Sequence, residues 1–259
     1  MRSVAWFVGC LLLSAPAEAE DLVPVPFVGC KTEGQGDGAV PAASVDDTPR
    51  LPAAQAARLA YYALVSGNGV LAPRGWHCWG FTADTGGSTI VLPTPLDPKK
   101  FWSQRLSVKG PFVVQSYTFG GTYGRFEVAD SGSRFFPGHP GLKRLRQVNF
   151  ELYDPKSEAP GAKPPRAPKP YPEKSLTRLS ENELSYRTPA GKMGIGIGGM
   201  IKPGADAVIG AVALHSYPGY DEIDLVDASV RLPPDLADLA PIVLRQVVPA
   251  LNGGVGQKP

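Results

Sequence analysis

The 259-residue chain sets 26 lysines and arginines against 24 acidic residues, and the net charge of +2 gives the whole protein no pull toward nucleic acid or an anionic membrane. Thirty glycines and 28 prolines stand well above ordinary usage and favour short strands, many turns and long loops. Past the first apolar run no stretch is apolar for long enough to span a bilayer, so no transmembrane anchor is expected.

Residues 1–19 have the three-part grammar of a signal peptide. Arg2 supplies the positive start, Val4 to Leu13 form a short apolar core, and Ala17-Glu18-Ala19 is a small-x-small cleavage site. Cleavage after Ala19 would leave a periplasmic or secreted chain starting at Glu20. Cys10 and Cys30 each follow Phe-Val-Gly, which raises lipid attachment as an alternative. Cys10 precedes the end of the apolar core, however, and Cys30 lies beyond it after Pro24 and Pro26, so neither position suits attachment. Cleavage leaves two cysteines. In an oxidising compartment they most simply form one bridge, Cys30 to Cys78, with two buried free thiols as the alternative.

In chain order, Glu20 to Phe27 is an extended, proline-containing start, and Thr32 to Val45 reads as loop. Leu51 to Leu64 carries Ala56, Leu59, Ala60, Ala63 and Leu64 at three- and four-residue spacing, which predicts an N-terminal helix. Tyr61 and Tyr62 on it are expected to pack rather than to form a contact surface. Gly69 to Phe81 (GVLAPRGWHCWGF) then concentrates two of the four tryptophans, a histidine and Cys78. Cys78 to Ala83 and Ser88 to Pro93, separated by Asp84-Thr85-Gly86-Gly87, predict a hairpin. Phe112 to Phe119 alternates as a strand. Phe126 to Phe136 fits either a short helix or a strand and is assigned to a helix, because Phe126, Ala129 and Ser133 at three- and four-residue spacing could share one helical face. Leu142 to Tyr153 is assigned to a strand, from the alternation of Val148, Phe150 and Leu152.

Residues 155–174 hold seven prolines and five basic residues and cannot join a sheet or helix interior. They read as a linker or long exposed loop, a solvated spacer in preference to a ligand for a proline-recognising groove or an anionic surface. Beyond them Leu184 to Thr188, Ala207 to Ser216 and Glu222 to Leu232 read as strands. A closing helix places Leu236, Leu239, Val243 and Val247 on one stripe, kinked or restarted at Pro241. The resulting division is a signal peptide at 1–19, a helix-plus-strand domain at 20–154, the basic proline-rich segment at 155–174, and a strand-rich part at 175–259. The fold class expected is α+β, a mostly antiparallel sheet with an N-terminal and a C-terminal helix.

Catalytic signatures are sparse. Gly194, Gly196 and Gly199 match a dinucleotide fingerprint in spacing, but Met200 to Gly204 lead into a turn where a helix should start, so a glycine-bearing bend is the better account. No phosphate-cradling loop, HExxH or GxSxG occurs. His77, His139 and His215 lie far apart, which argues against a metal site, and no cofactor is called for. His139, within Pro137 to Gly141, reads as exposed turn filler. Asp221 to Asp227 reads as a strand with an acidic exposed face rather than a calcium loop. Lys143, Arg144 and Arg146 form a basic cluster too small for nucleic-acid recognition.

His77 is the one histidine with a chemical setting, since Asp84 and Ser88 lie close by in sequence and could complete a general acid–base group. On a hairpin, however, Trp76 and Cys78 face one way while His77 and Trp79 face the other. Aromatic packing round a disulfide, with His77 at a wet rim, is therefore preferred to catalysis.

The segments Val25 to Cys30 (VPFVGC) and Pro73 to Cys78 (PRGWHC), with a later Gly120 to Pro137 containing GRFEVA, resemble a set of exported bacterial proteins. The resemblance covers about half the mature chain. It implies secretion and a Cys30–Cys78 bridge, and it brings no activity and no catalytic residue. The leading functional expectation is a non-enzymatic binding, inhibitory or accessory protein. Arg74, Trp76, His77 and Trp79 form its candidate surface, and another envelope or secreted protein is its partner. The rival is an envelope hydrolase using His77 with Asp84 or Ser88.

Overall fold

A computed structural model describes residues 21–35, 48–65, 69–103, 106–195, 200–217 and 222–245. The signal peptide with Cys10, most of the Thr32–Val45 loop, Gly196 and Gly199 of the glycine fingerprint, and Val247 lie outside the described residues.

The first part of the chain forms β1 (Leu22–Pro24), β2 (Phe27–Gly29), β3 (Lys31–Gly34), β4 (Arg50–Pro52), the single turn α1 (Ala53–Ala56), β5 (Leu59–Ala63) and β6 (Gly69–Pro73). There follow β7 (His77–Ala83), β8 (Gly86–Leu92), α2 (Pro98–Trp102), β9 (Phe112–Thr118), α3 (Arg125–Phe135) and α4 (Pro140–Tyr153). The last part comprises β10 (Leu176–Arg178), β11 (Glu183–Thr188), β12 (Val208–Ser216), β13 (Ile223–Arg231) and α5 (Ala240–Arg245).

Eight strands make one sheet in the order β10-β11-β12-β13-β9-β8-β7-β3. A three-stranded sheet, β2-β5-β6, packs against one of its faces, and β1 pairs with β4 as a small ribbon. Strands on both sides of residues 155–174 belong to the same eight-stranded sheet.

Among the described residues the fold is mixed α/β, mostly β, with five helices, and this corrects the expectation of α+β with a mostly antiparallel sheet closed by terminal helices. Each of the two larger sheets contains a parallel pair. β2 runs parallel to β5, and β3 parallel to β7, so both parallel ladders come from the short segment either side of Cys30. Parallel neighbours need a long crossover rather than a tight turn. The many residues between β3 and β7 supply one.

The expected N-terminal helix over Leu51–Leu64 is instead strand, one helical turn, and strand. Leu59, Ala60, Tyr62, Ala63 and Leu64 are all buried, because β5 is the middle strand of its sheet and packs on the larger one. A short apolar run with both faces covered fits helical spacing as well as a buried strand, and only the pairing decides between them. Tyr62 packs as expected, its hydroxyl donating to Pro73 O at 2.8 Å.

The assigned strand over Leu142–Tyr153 is helix α4. Its buried residues, Leu142, Leu145, Asn149 and Phe150, recur at three- and four-residue steps. The alternation of Val148, Phe150 and Leu152 was accidental, since Leu152 is exposed. His139 is the N-cap of α4 rather than turn filler: Leu142 N donates to its Nδ1 at 3.3 Å, which leaves Nε2 to donate to Asn182 Oδ1 at 2.9 Å. Asp227 also departs from expectation, being 1% exposed on β13.

Between the two sheets lies one core, with Val91, Val113, Val226 and Ala228 facing Leu59, Tyr62 and Leu71, and Val243 of α5 closing its end. The opposite face of the large sheet carries two further clusters. Beneath α3 and α4, Leu184, Val212, Leu214 and Leu225 meet Val128, Phe135 and Leu145. Beside α2, Trp79, Ile90, Phe112 and Val114 form the other.

Cys30 and Cys78 are bridged, with Cα atoms 5.3 Å apart. Replacing both by serine should lower the unfolding free energy by up to about 4 kcal/mol, the loop-closure value for their separation of 48 residues. The change is to be read as a lower urea midpoint with an unchanged far-ultraviolet spectrum. Equal stability would mean that strand pairing alone holds the segment.

Candidate functional site

The β7–β8 ladder pairs His77 with Leu92 and Phe81 with Ser88, while Asp84 sits in the turn. His77 and Ser88 are thus four rungs apart, roughly 13 Å, and His77 and Asp84 lie at opposite ends of the hairpin, roughly 20 Å apart. Proton transfer needs contact or one bridging water. Ser88 is moreover buried, its Oγ 2.7 Å from Ser116 Oγ. The three residues do not meet, so the acid–base group expected from them is not assembled.

The predicted surface around the bridge is also dispersed. Alternation holds, in that His77 is exposed and Cys78 turns toward the core between the sheets. Trp79, however, is buried, because α2 covers its face. Its ring lies 4.6 Å from that of Phe101 and 6.4 Å from that of Trp102, whose Nε1 donates to Glu33 Oε2 at 2.6 Å. Trp76 is half-buried against the other core. Only Arg74 and His77 remain exposed.

Polar side chains gather instead in a seam between the two apolar clusters on the far face of the large sheet. Ser88, Ser116 and Asp227 are consecutive across β8, β9 and β13, and Tyr186, Gly210 and Ser229 are consecutive across β11, β12 and β13. Tyr186 reaches over Gly210, where a Cβ would collide with its ring, and its hydroxyl donates to Asp227 Oδ1 at 2.9 Å. Burial first, and then the Asp227 carboxylate, hold the Tyr186 phenol well above its ordinary value. Arg231, at the end of the same face, donates to the carbonyls of Lys109 at 2.8 Å and Lys202 at 2.7 Å and lies over the Phe112 ring. Tyr186 and Asp227 are 2% and 1% exposed, so this pair is closed to solvent and packs within the sheet.

The accessible chemistry is on the helical layer. α3 and α4 lie side by side on the sheet, and the proline-rich segment runs over them as a strap. Arg146 Nη2 donates to Pro165 O, Tyr171 N to Arg134 O at 3.0 Å, and the Tyr171 ring packs 4.7 Å from that of Phe135.

On one side of the strap a groove of about 400 Å³ is walled by Phe126, Asn149, Phe150, Tyr153, Pro164 and Pro168. At its mouth Tyr123, Phe126 and Tyr153 are 71%, 41% and 47% exposed and touch one another. Tyr123 stacks on Phe126 at 6.4 Å, Phe126 meets Tyr153 edge-on at 5.5 Å, and the Arg125 guanidinium lies 5.9 Å from the Tyr153 ring centre. Sequence reading placed Phe126 on a helix but missed this cluster. Tyr123 and Tyr153 are thirty residues apart, and only the packing of α3 on α4 joins them.

Neither protein-family models, nor curated proteins, nor solved structures contain a match to this chain.

Tyr186→Phe should cost about 1–3 kcal/mol by removing the phenol's hydrogen bond to the buried Asp227 carboxylate. A phenol raised in the folded state contributes stability that is complete below its ordinary value of 10.0 and is lost as pH rises through the folded value. Parent stability should therefore decline above pH 10.0, and the variant should decline less steeply. The slope that remains includes Tyr217, which burial and its bond to Asp224 push up to about 12. Urea unfolding of both proteins on either side of pH 10.0 measures the difference.

Proposed function

We propose that this protein is an exported binding module whose contact surface is the aromatic patch on the α3/α4 layer, and whose partner is another envelope or secreted protein. The observation that carries the reading is the exposed triad of Tyr123, Phe126 and Tyr153. Contiguous exposed aromatic surface disfavours an isolated chain in water and commonly marks an interaction site. Two tyrosines, a phenylalanine and Arg125 are the residue types that dominate the centres of protein interfaces. The adjacent groove adds concavity for a protruding side chain.

Export is supported by the signal-like residues 1–19, by the Cys30–Cys78 bridge, and by the resemblance to exported bacterial proteins. Among the described residues no helix is long and apolar enough to cross a membrane. The hydrolase reading draws no support from the positions of His77, Asp84 and Ser88.

Tyr123→Ala/Tyr153→Ala should reduce the partner recovered from native envelope extract by roughly tenfold or more, the size expected for loss of interface anchors. Both side chains are exposed, so thermal stability should be little changed. Pull-down of parent and variant side by side, quantified by mass spectrometry, is the measurement. Equal recovery of every protein by the two baits would refute the reading.

A further inference from the structure

On the other side of the strap lies a second cavity, of about 470 Å³, between the α3–α4 corner and residues 166–170. Its charged lining is all of one sign. Lys143 and Arg146 enter from α4, Arg166 and Lys169 enter from the strap, and no carboxylate lines it. None of the four cations forms an ion pair among the described residues. His139 is also in the wall, but both its ring nitrogens are spent, on Leu142 N and on Asn182. The remaining lining includes Phe136, Leu142, Pro168 and Pro170, apolar groups that focus the field of the cations.

From these observations we infer that this cavity binds a multivalent oxyanion of the phosphate type. Four like charges on one small concave wall repel one another, and an anion placed among them relieves that repulsion. Arginine matches the geometry of a phosphate or carboxylate with paired donors, and lysine adds charge with freely rotating donors. Arg146 is already steadied by its bond to Pro165 O, so less freedom is lost when it engages a ligand. The volume lies in the range of small-ligand sites. Asp130 and Asp154 line the neighbouring groove, which shares Arg146 and Arg166, but they are absent from this wall. The strap is therefore more than a spacer, since it supplies half the charge of the site.

The anion has two sources, a free phosphorylated solute or the headgroup of an anionic lipid, and the same chemistry serves both. Inorganic pyrophosphate, titrated calorimetrically into the full chain, is the probe for the first. Co-sedimentation with phosphatidylcholine vesicles, with and without phosphatidylglycerol, is the probe for the second. The parent should bind pyrophosphate saturably and more weakly as salt rises, or bind only the phosphatidylglycerol vesicles with pyrophosphate competing. Arg166→Gln/Lys169→Gln should weaken whichever binding is seen by roughly tenfold or more, as loss of two charge-assisted contacts implies.

The control Lys99→Gln/Lys100→Gln removes the same charge from the α2 surface and should change nothing. Tyr123→Ala/Tyr153→Ala should also leave anion binding intact, so failure of the partner reading and failure of this one are separable. All four altered basic residues are exposed, so the variants should fold. Absence of saturable binding to either probe, or equal loss in the strap variant and the α2 control, would overturn the proposal.

Discussion

Cys30 sits where one short segment passes from the small sheet into the large one. β2 ends just before it and β3 begins just after it, while its own N–H donates to Ala63 O at 2.9 Å. Three or four residues of parallel pairing on either side form a weak ladder, because no tight turn brings the partners together and the long intervening chain must be ordered first. The bond to Cys78 keeps the segment close to β7 whether or not those ladders are formed. The packing of the two sheets, and hence the face on which every other element lies, depends on that junction.

With one face of the large sheet committed to the small sheet, the opposite face takes all the helices of the central region. That face is divided by the polar seam, and the seam constrains register. A slip of β13 by one residue would turn Asp227 away from Tyr186 and into the apolar core between the sheets, as an unpaired buried carboxylate. The absence of a side chain at Gly210 serves the same contact, since any Cβ would displace the Tyr186 ring. The most polar buried groups of the molecule thus specify its sheet and leave the chemistry offered to other molecules to the helical layer.

On that layer the proline-rich strap separates two environments. Aromatic surface and a charge-balanced groove lie on one side, and an all-cationic cavity on the other. Proline makes this division workable, because a segment with few backbone donors and restricted φ can lie over two helices without competing for their hydrogen bonds. Arg146 and Arg166 border both environments. A partner on the aromatic side and an anion on the other would therefore meet at the same two side chains.

Residue order determined the hairpin of β7 and β8, the strands β9, β11, β12 and β13, and the special character of residues 155–174, and it favoured the bridge over free thiols and a helix over a strand at α3. Each of these rests on local chemistry: cysteine count, turn residues, short periodicity, proline content. Tertiary structure decided what depends on partners distant in sequence. It made β5 a strand because its two faces are both covered, and α4 a helix because Leu142, Leu145, Asn149 and Phe150 found the sheet and α3 to pack on. It scattered His77, Asp84 and Ser88, which are neighbours in sequence but are spread along a hairpin by the length of the strand. It also assembled Tyr123 with Tyr153, and Lys143 with Lys169, pairs that no short window contains, because side chains converge through packing while sequence patterns report only the period of the element that carries them.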